Sequence, residues 1–92
     1  MSNLSDKLSW DKATQEKFER LIEKVPVFIR GMAKEKVSKK AESIARQENR
    51  AVVVEKDMVD AFFIETPFGF HGPMKCDMEE IGLDYTKYGY PQ

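Results

Sequence analysis

The sequence predicts an all-α domain, a small orthogonal bundle of three main helices. Apolar residues recur at three- and four-residue spacing in two long stretches, and a shorter stretch of the same kind follows a run of valines. With 92 residues the chain has room for one hydrophobic core. Hydrophobic residues make up 41% of the chain and charged residues 34%, proportions that suit a mostly helical domain with a small core.

Helix 1 is predicted from about 10 to 24. Ser9 stands where a helix N-cap is expected, and Asp11 would lie in the first turn, where a negative charge complements the helix dipole. The apolar positions of this stretch follow helical spacing until a proline interrupts them, and they are Trp10, Ala13, Phe18, Leu21, Ile22 and Val25.

Helix 2 is predicted from about 26 to 48 and is the longest element of the domain. Pro26 separates it from helix 1, because proline disfavours helical geometry at the residue before it but suits the first turn of a new helix. The inward face of helix 2 is traced by apolar residues, which are Phe28, Ile29, Met32, Ala33, Val37, Ala41, Ile44 and Ala45.

A short extended segment is predicted at 51–54, before the last main helix. Asn49 is placed to end helix 2 in the left-handed conformation, and the β-branched valines that follow favour extended backbone. So short a segment cannot form a sheet alone, so it either pairs with another strand or lines a loop. Helix 3 is predicted from about 55 to 64, with Val54 at a weakly capped N-cap position.

Residues 66–92 are predicted to form a tail that wraps around the helices. Glycines and prolines between 66 and 73 indicate a turn-rich loop, and 77–81 a short helical turn closed by Gly82. Aromatic side chains in such a tail either fold back on their own helices or contact a partner, since they dominate interface hot spots. The candidate interface aromatics are Phe68, Phe70, Tyr85, Tyr88 and Tyr90.

The predicted organisation is a flexible leader (1–8), a helical domain (9–65) and the tail (66–92). A helical domain of this size is expected to leave little room for a ligand cavity of about 300 Å³ or more. The predicted core comprises Trp10, Leu21, Ile22, Phe28, Ile29, Met32, Val37, Ala41, Ile44, Val53, Met58, Val59 and Phe62.

The net charge of −1 conceals a strong asymmetry along the chain. Residues 17–56 carry a net charge of +5, and residues 57–92 carry −5. The basic middle could attract the acidic tail, or it could present a basic face to an anionic partner. The candidate anion or partner contacts are Arg30, Lys34, Arg46 and Arg50.

Several classes of function are excluded by composition. Apolar runs fall short of the ~20 residues of a membrane span, and the start of the chain lacks a signal-peptide pattern, so we expect a cytoplasmic protein. His71 and Cys76 are the one histidine and the one cysteine, which excludes an internal disulfide and a zinc site. Spaced five residues apart with Met74 on a loop, they match no common metal or nucleophile arrangement. We therefore predict no catalytic, cofactor-binding or metal-binding residue and no enzyme activity.

An ordered set of features covers about residues 10–63. They are the early Trp10, the junction Val25-Pro26-Val27-Phe28-Ile29-Arg30, the pair Ala45-Arg46 and the valine run before helix 3. This set resembles the small carboxyl-terminal domain of the B subunit of light-independent protochlorophyllide reductase, which also occurs alone as PCP reductase-like proteins. In the full reductase the large subunits hold the cluster and the tetrapyrrole, so the resemblance implies an appendage with no catalytic residue of its own.

Two functions follow as hypotheses. The first is a non-catalytic accessory or protein-interaction module, which docks on a tetrapyrrole or electron-transfer enzyme or pairs with a second copy. The alternative is a histone-like dimer that binds nucleic acid through the basic face of helix 2. A long central helix, an extended segment beginning near Arg50 and a following helix are similar to the second half of a histone fold.

Overall fold

The computed structural model describes residues 8–92 and confirms the all-α prediction. Within that range no helix is long and apolar enough to cross a membrane. Three short 3-10 turns accompany the helices, two of them leading into a helix and the third near the carboxyl end. The regular elements in chain order are β1 (Ser9–Trp10), α1 (Lys12–Glu23), α2 (Arg30–Gln47), β2 (Val52–Val53), α3 (Glu55–Glu65) and α4 (His71–Glu80).

The predicted extended segment has a partner strand. β2 pairs in parallel with β1, with Ser9 opposite Val52 and Trp10 opposite Val53. Because Ser9 and Trp10 belong to a strand, α1 begins two residues later than predicted. Residues 1–7 of the predicted leader lie outside the described part of the chain, whereas Leu8 is partly buried and packs against the core.

Asp11, rather than Ser9, is the N-cap of α1. Its carboxylate accepts a hydrogen bond from the Thr14 amide at 3.0 Å and another from the Thr14 hydroxyl at 2.9 Å. Asn49 follows α2 with a φ of 60°, the left-handed conformation expected of a residue that ends a helix. α3 matches its predicted bounds to within one residue.

α2 begins at Arg30 rather than at 26. Pro26 itself is extended, with φ −53° and ψ 139°, and Val27–Ile29 form a 3-10 turn that leads into the helix. Residues of this turn do not share the buried face of α2, and Phe28 is 85% exposed. Met32, on the first turn of α2, is 55% exposed, so the prediction that both side chains lie in the core is wrong.

α4 begins within the predicted loop and includes residues 77–80 of the short helical turn predicted at 77–81. Gly72 and Pro73 lie in its first turn, where a missing backbone N–H costs little because the first amides of a helix have no acceptor within it. Met74 and Met78, one turn apart, point the same way and are buried. Gly82 follows with a φ of 79°, so the predicted closing glycine is confirmed.

The core draws on every helix and on the carboxyl end. Most of the predicted core is buried, while Trp10, Ile29 and Ile44 are partly buried. The prediction missed buried residues after Gly82 and on α4, because that segment was expected to be irregular. The buried hydrophobic residues are Phe18, Leu21, Ile22, Val37, Ala41, Ala45, Val53, Met58, Val59, Ala61, Phe62, Phe63, Met74, Met78, Leu83 and Tyr85.

The chain uses one architecture twice, although no repeat is recognisable in the sequence. Each half runs from a two-residue strand through a helix, a proline and a three-residue 3-10 turn into a second helix. We call residues 26–30 the first corner and residues 67–71 the second corner. Each corner begins with a proline and ends four residues later at Arg30 or His71, and a glycine follows each of these two residues.

Candidate docking groove

The two corners have the same backbone geometry. Pro26 has φ −53° and ψ 139°, and Pro67 has φ −56° and ψ 144°. In each corner the first residue of the following helix turns its side chain back onto carbonyl groups at the end of the preceding helix. The last carbonyl groups of a helix receive no hydrogen bond from the helix itself, so they are available to these side chains. The contacts therefore stabilise the angle between the two helices of each half.

Arg30 makes this contact in the first corner. Its Nη2 donates to the Glu23 carbonyl at 2.9 Å and to the Val25 carbonyl at 3.0 Å, and its Nε donates to Val25 at 3.2 Å. The predicted partner was an anion of the tail or of another molecule. Arg30 instead neutralises the negative end of α1.

His71 makes the equivalent contact in the second corner. Its Nε2 lies 3.1 Å from the Phe63 carbonyl and 2.9 Å from the Thr66 carbonyl. Because both neighbours are acceptors, Nε2 carries the proton and donates to them. Among residues 8–92 no group of three His, Cys, Asp or Glu side chains could hold a metal ion.

An apolar groove of about 520 Å³ lies between the two corners. The prediction that the domain has little room for a ligand space of about 300 Å³ or more is wrong for this open groove, which residues of both corners line together. Apolar side chains of both corners and of the adjoining helices form most of its wall. They include Leu21, Val25, Pro26, Ile29, Met32, Ala33, Val37, Phe62, Pro67, Phe70, Pro73 and Met74.

Large apolar side chains are exposed on the two corners, and one of them, Phe70, lies in the wall of the groove. Phe68 is 87% exposed and Phe70 64%, and Val27 and Phe28 are exposed on the opposite corner. A phenylalanine carries about 200 Å² of surface, so the three phenylalanines alone expose roughly 500 Å². That area compares with the largest apolar patches of monomeric proteins, about 300–600 Å², which are often functional.

The model of one family, DUF2621, matches residues 3–90, nearly the whole chain. The chain belongs to the DUF2621 family. That family is described as a protein of unknown function. No curated protein matches the chain, and no solved structure matches it.

The charged groups around the groove of this DUF2621 protein are of both signs. Two lysines, Lys24 and Lys36, and two carboxylates, Glu65 and Asp77, line the groove. Lys24 also forms an ion pair with Glu80 at 2.5 Å. Burial raises the pKa of Asp77, an effect that the nearby Lys24 only partly offsets. The rim as a whole is therefore close to neutral and suits neither a strongly acidic nor a strongly basic ligand.

The three candidate tyrosines fold back on the DUF2621 domain. The Tyr85 hydroxyl donates to Glu79 at 2.8 Å, and hydrogen bonding to that carboxylate together with burial raises the pKa of Tyr85 to about 12. Tyr88 donates to Glu55 at 2.7 Å. Tyr90 donates to Asp60 at 2.6 Å. Of the five predicted interface aromatics, only Phe68 and Phe70 are therefore exposed for a partner.

Arg50 is committed to an ion pair within the chain. It donates to both carboxylate oxygens of Asp57, at 2.6 Å and 2.7 Å, and it also contacts Glu48. Asp57 in turn accepts from the Val54 amide at 2.9 Å, so the amino end of α3 is capped from within the helix and is not weak as predicted. The two charges lie seven residues apart on either side of β2, a spacing that could have suggested the pair.

Lys34 and Arg46, the remaining basic candidates, are exposed on α2. Lys34 borders a small hollow that is also lined by Glu19 and Glu23, so the hollow carries both signs of charge. Arg46 lies in the last turn of α2, where a positive charge complements the helix dipole.

Proposed function

We propose that this DUF2621 protein is a non-catalytic protein-interaction module, and that the groove between the two corners is its docking surface. The observation that carries the proposal is the combination of an apolar groove of about 520 Å³ with exposed phenylalanines on the two corners that contribute to its wall. Pockets that receive aromatic or aliphatic anchors, with exposed aromatics around them, are typical of interface hot spots.

The narrower form of the proposal follows from the resemblance to the reductase appendage domain. In that form the module is an accessory of a tetrapyrrole or electron-transfer enzyme in the cytoplasm. The specific part of the resemblance, Pro26 to Arg30, forms the first corner and therefore one wall of the groove. This overlap supports a shared docking mode without adding a catalytic role.

A site-specific photo-crosslinking experiment tests the proposal. Phe28 or Phe68, one from each corner, is replaced by p-benzoylphenylalanine in the full chain, expressed in the source cells. Ile64 carries the probe as a control because it is exposed on α3, outside both corners. We expect irradiation to join a defined protein to positions 28 and 68 and not to position 64.

Purified components then separate a specific partner from a bystander. The crosslinked protein should bind the wild-type chain at least tenfold more tightly than Met32→Glu. Docking would remove the new carboxylate from water without supplying an ion pair or hydrogen bond to compensate. Ile64→Glu should bind as the wild type does. Equal binding by all three proteins would overturn the proposal. A crosslinked tetrapyrrole or electron-transfer enzyme would support the narrower form.

One observation favours the nucleic-acid alternative. Lys36, Lys39 and Lys40 line a shallow depression of about 310 Å³ on α2. Glu65 lies in the same depression, however, and Lys39 pairs with Glu35 at 3.1 Å, which reduces its positive potential. Arg50, the arginine that the histone-like hypothesis places at the start of the extended segment, forms an ion pair with Asp57.

We expect no retardation of duplex DNA or RNA in a gel-shift assay at low salt with about 50 µM protein, a concentration at which most non-specific binders are retained. A net charge of −1 provides no general attraction to phosphate. Retardation that disappears on adding salt and on replacing Lys36, Lys39 and Lys40 with glutamate would instead support the alternative.

A further inference from the structure

We infer that the occupant of the groove, in the absence of another partner, is a second copy of this chain. The inference rests on the proposed function, since it names a partner for the same docking surface.

The surface carries both protruding side chains and a recess that can receive them. Phe28 and Phe68 protrude from the two corners, and the groove between the corners is lined by apolar side chains. A two-fold dimer presents the same patch on both subunits, so each contact between a protruding ring and a groove occurs twice. A surface that bears only a groove or only a protrusion would need a different partner.

The area is sufficient for such a dimer. The three exposed phenylalanines contribute roughly 500 Å², and the exposed Val27 and Met32 add further apolar surface. A stable interface buries about 800 Å² on each partner. The apolar patch therefore accounts for more than half of one side of a standard interface, and the polar rim supplies the remainder.

The charges decide between a second copy and a membrane surface. Two lysines and two carboxylates, Lys24, Lys36, Glu65 and Asp77, surround the groove. A neutral rim gains little at an anionic lipid surface, whose attraction for proteins depends on clustered basic residues. The same mixture lets a second copy place lysines against carboxylates without net repulsion.

The dimer and a complex with a different protein would be mutually exclusive, because both cover the same groove. Binding of another protein would then depend on the concentration of free protomers. A partner protein that binds the monomer would therefore shift the equilibrium from dimer to monomer.

Sedimentation equilibrium of the wild-type chain between about 1 and 500 µM tests the inference at the concentrations where standard interfaces assemble. We expect a dimer that forms in the micromolar range. Phe28→Glu and Phe68→Glu should each weaken it at least about 30-fold, the effect of losing a hot-spot residue. Ile64→Glu should leave it unchanged, and circular dichroism should show that all three variants remain folded, since their side chains are exposed.

A wild-type chain that remains monomeric at the highest concentration would overturn the inference. A dimer insensitive to both phenylalanine substitutions would overturn it too, since the interface would then lie elsewhere. Neither result affects the crosslinking test, because a monomer that captures a specific protein through positions 28 and 68 would satisfy the proposed function alone. Vesicles of anionic lipid that pellet the wild-type chain but not Phe68→Glu would favour a membrane over a second copy and would also overturn the inference.

Discussion

Replacing Asp57 with alanine is expected to lower the free energy of unfolding by about 2–4 kcal/mol. The Asp57 side chain is 1% exposed and accepts two hydrogen bonds from Arg50 and one from the Val54 amide. The substitution removes a buried ion pair and the cap of α3 together. Arg50 is 32% exposed and keeps Glu48, so water and that carboxylate limit the loss. Urea unfolding at pH 7 measures the change.

Two further variants separate the contributions. Asp57→Asn keeps an acceptor for the Val54 amide and nearly the same volume, so it should lose less stability than Asp57→Ala. Arg50→Met leaves the carboxylate buried without its cation, and removing one member of a buried pair is costly because the remaining charge is uncompensated. A small and equal effect of all three variants would contradict the ion pair as the element that joins β2 to α3.

The pH dependence of these variants has a defined sign. Burial alone would raise the pKa of Asp57, but hydrogen bonds from Arg50 and Val54 and the charge of Arg50 outweigh it and lower the pKa below its usual value. Asp57 therefore contributes stability above about pH 4, near the ordinary aspartate pKa, and loses it as the pH falls through the folded-state pKa. In Arg50→Met burial dominates, so the pKa of Asp57 rises and the carboxyl group can become neutral.

The difference in stability between wild type and Arg50→Met should consequently shrink between pH 7 and pH 4, since the variant is relieved of a buried charge as the proton binds. Urea unfolding of both proteins at the two pH values provides the measurement. A difference that stays constant over this interval would show that the Asp57 carboxylate does not titrate differently in the two proteins.

Local signals in the sequence account for the elements that were predicted well. Asn49 and Gly82 adopt the left-handed conformations that end helices, and Pro26 interrupts the helical pattern. Each of these residues acts through its own backbone, so its effect depends little on the rest of the fold. The same holds for α3, whose start after Val54 follows from the acidic first turn.

Elements that depend on distant partners could not be predicted in this way. Ser9 and Trp10 have the local pattern of a helix start, and only pairing with Val52 and Val53 makes them a strand. Pro73 marks a loop in most sequences, yet in the first turn of a helix it is tolerated. The groove was missed for a related reason, since it exists only where two corners distant in sequence approach each other.

Replacing Phe63 with alanine is expected to lower the free energy of unfolding by about 3–5 kcal/mol, the usual cost of truncating a buried phenylalanine. Phe63 is buried on α3, and the Tyr90 ring stacks on it with centroids 3.8 Å apart and an angle of 3° between the planes. The His71 ring meets it edge-on at 5.1 Å, and Tyr85 lies 6.0 Å away. The substitution therefore leaves a cavity that three elements share.

The loss should be uneven along the chain. Tyr90 keeps its hydrogen bond to Asp60 but loses the ring beneath it, so the amides of residues 83–90 should exchange with deuterium faster than those of α2. Tyr90→Phe keeps the stacked ring and loses the hydroxyl, and should cost about 1.5–3 kcal/mol because the lost hydrogen bond ends on a carboxylate. Ile64→Ala, at the neighbouring exposed position, should change stability by less than about 0.5 kcal/mol.

The second corner should respond less than residues 83–90. His71 is held by the carbonyls of Phe63 and Thr66 as well as by the Phe63 ring, so Phe63→Ala should loosen residues 83–90 more than the start of α4. Equal acceleration of exchange in α4 and in residues 83–90 would mean that Phe63 couples the second corner to residues 83–90. The groove would then depend on residues 83–90, although none of the three tyrosines lines it.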